Sequence, residues 1–434
     1  MYKRKTLFLT AFGLFSLFFG AGNLLIPPLL GYNAGEQWFW VTIGFIITAV
    51  AIPIIGIMAH AKLQGTMYDF GKKVSPWFSS IYCIIIYAIS VAIPSPRTAS
   101  ATHEIAIYPA FGTDPFWTSL VYFALVLVFV LNRSKILNII GKFLTPLIVI
   151  MLLLVIGIGL YNSSLANPAT FDTPIVSGIL EGYQTFDAIG AVVVGAFIIV
   201  SLKFKTIDIE AYEAKKSLIR KAGLIAGLGL FVIYSGLISV GAYYGTEISV
   251  DTTLDNDMQR ANLLRSISVS ALGTFGNTVL SILISLACFT TAVGIVAGTS
   301  DYFRSLFSSS NKVYIITAII ACIAGVGVGQ LDFYSIIVIA YPVLLFIYPI
   351  TIVLIILNVL PQRSATPLVF KAVVIVTFIF SIPDVIGVIE RLKHLKDNFM
   401  FIPLAKHSLG WILPALLVFV LINIFQKSKP HSSS

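Results

Sequence analysis

The residues able to do chemistry in this sequence are few, and they sit where polar groups are costly. Asn23 follows Phe18-Phe19-Gly20-Ala21-Gly22 and precedes Pro27-Pro28. Asp187 closes the run Glu181-Gly182-Tyr183-Gln184-Thr185-Phe186-Asp187, and Thr290 and Thr291 stand beside Ala287 and Cys288. A carboxamide, a carboxylate, adjacent hydroxyls and backbone bared by glycine bind ions and zwitterions; they are not a nucleophile with its base. The sequence has no HExxH, GxSxG or phosphate-binding loop, and His60, His103, His394, His407 and His431 are scattered. Neither an enzyme nor a cofactor is expected.

Each of these residues also has a structural reading. Gly20 and Gly22 suit close packing of helices. Asp187 suits a hydrogen bond to a neighbouring helix. Ser281, Ser285, Thr290 and Thr291 suit bonding back to their own helix. Asn23, at the same depth as the two glycines, favours a polar site there.

The elements that position these residues are membrane helices. The chain has 434 residues, 58% hydrophobic and 11% charged, with a mean hydropathy of +0.95. Too few polar residues remain to cover a soluble domain. Hydropathy predicts about twelve spans, near 6–31, 38–61, 77–98, 115–131, 141–161, 176–203, 221–245, 272–302, 313–331, 334–358, 367–388 and 408–426. Lys3-Arg4-Lys5 followed by an apolar run reads as a retained first helix, too long for a signal peptide. With the N-terminus in the cytoplasm, only Arg97, Arg260, Arg265, Arg391, Lys393, Lys396 and Lys406 of the 28 basic residues fall outside. Both termini are therefore expected in the cytoplasm. The charge of +9 is a feature of the inner face, so no nucleic-acid partner is expected.

The first span breaks at Gly20–Asn23, because glycine and proline interrupt a helix and freed backbone groups must find partners in hydrocarbon. The sixth combines glycine with polar residues at mid-depth. The two lie five helices apart, which fits two five-helix repeats of opposite topology, 6–161 and 176–358, with spans 367–426 outside them. The inner segment 204–220, with Glu210 and Glu213 ahead of Lys215, Lys216 and Lys221, reads as a short interfacial helix. The outer segment 246–271, with Glu247, Asp251, Asp255 and Asp257, reads as a partly helical cap. Arg97 and Glu104, near the outer end of the third span, read as an outer gate or an interfacial anchor. Cys83, Cys288 and Cys322 lie in apolar segments and read as small core residues.

Four motifs carry a family resemblance: FFGAGNLLIPP at 18–28, IPSPRTASATHEI at 93–105, EGYQTFDAIGAVVVG at 181–195 and ACFTTAVG at 287–294. With them the chain resembles, over essentially its whole length, the bacterial branched-chain amino acid:cation symporters (BrnQ-like, LIVCS family). One departure is the Ser-Pro inserted in Ile93-Pro94-Ser95-Pro96-Arg97-Thr98, where the family usually reads IPRT. The resemblance implies an all-α polytopic protein with the leucine-transporter fold, a 5+5 inverted repeat plus two further helices. It implies a Na⁺ site formed by Ala287, Thr290 and Thr291 with carbonyls near Ser16 and Phe19. Amides of Ala21, Gly22 and Asn23 would hold a substrate carboxylate, and carbonyls near Thr185, Phe186 and Asp187 would meet its ammonium. Phe19 and Phe186 would line the apolar part.

The implied activity is import of leucine, isoleucine and valine across the bacterial cell membrane, coupled to Na⁺ by alternating access. One methylene in such a pocket is worth about 1–3 kcal/mol, so these three side chains should overlap as substrates. The alternatives are another small solute, or H⁺ coupling through Asp187. The sequence leaves the oligomeric state open.

Overall fold

Helices form where the apolar runs predict them, and what interrupts them is local chemistry. In the computed structural model, residues 4–132, 139–161, 166, 168–204, 212–244, 250–251, 254, 256–307 and 309–427 are described. Among these the regular structure is entirely helical.

The chain runs α1 (Arg4–Phe18), α2 (Ala21–Ala34), α3 (Trp38–Ile46) and α4 (Ile52–Leu63), the last two joined by a π-turn at Ile47–Ala51. It continues through α5 (Tyr68–Gly71), α6 (Pro76–Ala92), α7 (Pro94–Thr102), α8 (Tyr108–Phe111), α9 (Pro115–Leu131) and α10 (Thr145–Tyr161). Then come α11 (Pro174–Tyr183), α12 (Asp187–Phe204), α13 (Tyr212–Tyr243), α14 (Asn256–Leu272) and α15 (Phe275–Leu306). Last are α16 (Asn311–Val328), α17 (Phe333–Val359), α18 (Pro367–Ile386) and α19 (Ile412–Lys427).

Every predicted span falls on one of these helices or pairs. By length and composition, eight described stretches can cross a membrane, or nine if the bent pair Pro174–Tyr183 and Asp187–Ser201 is one span. The stretch Ala21–Leu63 alone holds half of the first predicted span and all of the second. Pro115–Leu131 and Ile412–Gln426 are shorter apolar helices. Large apolar side chains face outward on these helices, as at Leu228 (64% exposed), Ile320 (61%) and Ile323 (66%), where a bilayer is the compatible solvent.

The two prolines near the outer end of the third span were expected to bend or stop it, and they bend it: the helix breaks at Ile93 (φ −122°, ψ −76°), and Pro94 opens α7 at a position where a missing N–H costs nothing. Pro27 and Pro28 sit inside α2, within the first predicted span. One boundary differs from the sequence reading. Residues 205–211, including Glu210, lie outside the described residues. From Tyr212 the chain is one helix through Tyr243, so Glu213 and Lys216, paired at 3.2 Å, belong to the seventh span and not to a separate interfacial helix. The outer segment is helical over Asn256–Leu272, as expected of a cap, while Glu247 and Asp255 lie outside the described residues.

The chain forms two compact units. The first comprises Met1–Gln64 with Ile86–Ile337, and holds both broken helices. Its helices approach through glycine. A Cβ built at Gly241 of α13 would lie 1.9 Å from the Pro28 carbonyl oxygen of α2, and one at Gly178 of α11 would lie 2.2 Å from that of Val41 of α3. Backbone meets backbone at both crossings, the close approach that small residues allow in a bilayer. Cys288 and Cys322 are buried here as free thiols.

The second unit comprises Gly65–Ile85 with Val338–Ser434. Inside it Tyr82 and Thr351 share a hydroxyl bond of 2.9 Å, and Asn358 Nδ2 donates to the Phe70 carbonyl at 3.0 Å. Phe346 and Phe378 meet edge-on at 4.9 Å between centroids.

The crossing of α2 and α13 generates a prediction. Gly241→Ala should destabilise the protein by about 2–3 kcal/mol or more, as overpacking against backbone does. Gly157→Ala, where a Cβ meets nothing within 4 Å, should change stability by no more than about 1 kcal/mol. Thermal unfolding of the purified proteins in detergent measures both.

Candidate functional site

The first break is built around Gly20. α1 ends at Phe18, Gly20 is extended (φ −116°, ψ −163°), and α2 begins at Ala21. A Cβ at Gly20 would lie 3.0 Å from the Thr291 hydroxyl, so α15 presses directly on the break. The side chain of Asn23 closes it: Oδ1 accepts from the Gly20 N–H at 3.1 Å. The N–H groups of Ala21, Gly22 and Asn23, in the first turn of α2, have no partner within that helix and stand at its positive end.

The second break separates α11 from α12, which are bent by 42°. Gln184 N bonds the Glu181 carbonyl at 3.1 Å and Phe186 N bonds that of Tyr183 at 3.1 Å, a tightened last turn. Phe186 then takes φ +62°, a left-handed conformation that bulky residues rarely adopt. Such a conformation costs about 1–3 kcal/mol and persists where the surroundings enforce it. The Phe186 carbonyl accepts from Gly190 N at 2.8 Å as α12 begins, so it is partly committed to its own helix.

Asp187 joins the two breaks. Its carboxylate is buried (3% exposed), with Oδ2 accepting from Asn23 Nδ2 at 2.7 Å and from the Tyr234 hydroxyl at 3.4 Å. Asn23 Nδ2 also donates to the Tyr234 hydroxyl. Three side chains thus tie α2, α12 and α13 together, as a buried carboxylate requires.

A second cluster lies where α1 meets α15. The Thr290 hydroxyl lies 2.8 Å from the Ser16 carbonyl and 3.0 Å from the Ala287 carbonyl, and the Ser16 hydroxyl donates to it at 3.0 Å. The Thr291 hydroxyl donates to the Ala287 carbonyl at 3.2 Å. These are neutral oxygens, the ligand type preferred by a hard cation of low charge.

The expected residues come together. Ala21, Gly22, Asn23, Thr185, Phe186 and Asp187 line one cavity of about 50 Å³, with Gly20 and Thr291 in the same wall. Ser16, Ala287, Thr290 and Thr291 form the oxygen cluster adjoining it. For the apolar lining, Phe19 is a correction: its ring stacks on Phe15 at 5.5 Å and on Tyr234 at 6.0 Å and does not line the cavity, while its carbonyl stays a proposed cation ligand. The helical phase puts Phe18 in the wall instead. Ser285, bonded to the Ser281 carbonyl at 2.7 Å, takes the structural role.

Of the two readings of Arg97, the interfacial anchor is corrected: its side chain is buried and lines the cavity, donating from Nη1 to the Gln184 carbonyl at 2.9 Å. Glu104 accepts from Ser100 at 3.3 Å. Glu181 bonds Arg260 of α14 at 2.5 Å, and Arg260 also donates to Gln184 Oε1 at 3.1 Å. The sequence reading did not find Tyr234 or the role of Gln184.

Paired helix breaks facing one cavity, beside a cluster of neutral oxygens, define a class: an all-helical, multi-pass membrane transporter rather than an enzyme. The model of the family described as branched-chain amino acid transport protein matches residues 3–429, and the chain belongs to that family. It is 32% identical over 432 residues to the branched-chain amino acid transport system 2 carrier protein of Pseudomonas aeruginosa, covering 96% of each chain. In structure it is similar to a Na⁺-coupled sialic acid symporter (TM-score 0.61, 13% identity, 96% of this chain and 90% of that one). It is also similar to MhsT in complex with L-phenylalanine (TM-score 0.55, 17% identity, 98% of each chain). These neighbours have the leucine-transporter fold.

Two outcomes follow from the geometry. Gly22→Leu should abolish solute uptake while the protein remains in the membrane, because a Cβ there already meets the Gln184 carbonyl at 3.3 Å and Arg97 Nη1 at 3.4 Å. Asn23→Ala should destabilise the protein by about 2–3 kcal/mol by stripping a charged acceptor of its donor. In denaturant unfolding, the double variant Asn23→Ala/Asp187→Ala should lose less than the sum of the single variants.

Proposed function

We propose that the protein imports leucine, isoleucine and valine across the bacterial cell membrane in symport with Na⁺, with both termini in the cytoplasm. The observation that carries this reading is the oxygen cluster of Ser16, Ala287, Thr290 and Thr291 set against the cavity wall through Gly20. The neutral oxygens fit Na⁺ as a co-substrate. The Thr290 hydroxyl, which now turns its proton to a carbonyl, rotates to offer a lone pair when the ion arrives. The Na⁺-coupled sialic acid symporter supports cation coupling as an option of the fold, and the family description supports branched-chain substrates.

In this reading a zwitterion spans the two breaks. Its carboxylate faces the positive end of α2. Its ammonium faces the unwound stretch Thr185–Asp187, and its aliphatic side chain rests on Phe18, Phe186 and Ile189. Na⁺ beside the Gly20 break favours the arrangement that binds solute, and binding of each raises the affinity of the other. Alternating access follows as the repeats 6–161 and 176–358 exchange which side of the cavity is open, with spans 367–426 outside the exchange.

The test is leucine uptake into proteoliposomes across a range of Na⁺. Thr290→Ala should raise the Na⁺ concentration for half-maximal uptake by about tenfold, the loss of roughly one oxygen contact of 1–2 kcal/mol. Thr291→Ala should shift it in the same direction. Unchanged Na⁺ dependence in both would contradict the cation site. Leucine uptake driven by a pH gradient without Na⁺ would transfer coupling to Asp187, the buried carboxylate of the cavity wall.

A further inference from the structure

Of the residues lining the cavity, Arg97 carries the positive charge and Asp187 the negative one. The two are placed differently. Asp187 Oδ2 is engaged by Asn23 and Tyr234, which commits it to holding helices together. Arg97 is buried (3% exposed) on α7 and reaches across to the second break, where Nη1 donates to the Gln184 carbonyl. A guanidinium carries five donors, so it can hold a wall carbonyl and a ligand at once.

Its position relative to α2 is set by Gly22. A Cβ there would stand 3.4 Å from Arg97 Nη1, so the guanidinium abuts the first turn of α2. The first turn of α2 and the Arg97 guanidinium therefore lie beside each other in the cavity lining. A buried cation beside a helix N-terminus is an anion subsite in which the two attractions add. A buried charge at this depth in a membrane protein marks a solute pathway more often than a scaffold.

We propose that Arg97 recognises the carboxylate of the transported amino acid, together with the α2 amides. This rests on the amino-acid reading above and deepens it. Arg97 decides that the solute must be an anion at one end, while the aliphatic pocket decides the side chain. Lysine at the position keeps the charge but loses the planar fork, and glutamine loses both.

The experiment is equilibrium binding of leucine and of leucinamide to the purified protein in Na⁺. Leucinamide keeps the ammonium and the side chain but carries a neutral carboxamide. The wild-type protein should bind leucinamide at least about tenfold more weakly than leucine. In Arg97→Gln, leucine affinity should fall about tenfold to hundredfold, the range for losing a charge-assisted contact. Leucinamide affinity should move less than about threefold, so the ratio between the two ligands collapses. Arg97→Lys should retain part of the ratio.

A purely structural role would weaken both ligands together and leave the ratio intact, and that result overturns the proposal. Equal binding of leucine and leucinamide by the wild type overturns it without any variant, so a misfolded variant does not shield it. A folded wild type that binds neither ligand overturns the branched-chain reading itself, a different failure.

Discussion

A backbone broken inside a membrane must satisfy its own donors and acceptors, and this protein does so by pointing two breaks at each other. Each buried polar group left without a partner would cost about 1–3 kcal/mol. At the first break Asn23 answers the Gly20 amide with one end of its carboxamide and Asp187 with the other. At the second, the Gln184 carbonyl is met by Arg97 from a third helix. The first turn of α2, Ala21–Asn23, is buried and lines the cavity. The breaks are therefore a structural obligation first, and the proposed solute site uses the backbone that they leave at the cavity wall.

The surrounding packing makes such a junction possible. Backbone meets backbone at Gly241 and at Gly178, which holds the helices around the breaks close. Thr291 presses on Gly20, so the oxygen cluster and the solute cavity share a wall. The Asn23–Asp187–Tyr234 junction joins the half-helices α2 and α12 to α13.

Much of this was legible in the sequence, and the reasons are physical. Gly-x-Gly followed by Asn in an apolar run weakens a helix and places a polar group at mid-depth, and a carboxylate at the depth of Asp187 has few tolerable places to be. Ala287, Thr290 and Thr291 share a helix face by spacing alone. Other features depend on tertiary placement. Tyr234 is unremarkable in an apolar span, because tyrosine is common there; only the fold brings its hydroxyl to Asp187. Arg97 was read as near the span's outer end because hydropathy ended the third span at about residue 98, beside two prolines expected to bend or stop the helix. Pro94 instead restarts it, and the helical stretch continues to Phe111, leaving Arg97 deep inside. Phe18 and Phe19 exchanged roles because the helical phase just before a break is not fixed by hydropathy. The Phe186 backbone, at φ +62°, carries no sequence signal, since its residue type argues against it.

The central claim is that both breaks face one solute. The most direct measurement is photo-crosslinking with a diazirine analogue of leucine bound to the purified protein, followed by peptide mapping of the label. The account predicts label on the segments around Phe18–Asn23 and Thr185–Ile189, in amounts reduced by excess leucine. Leucine-protected label confined elsewhere, such as a second cavity lined by His103 and Tyr334, would contradict it.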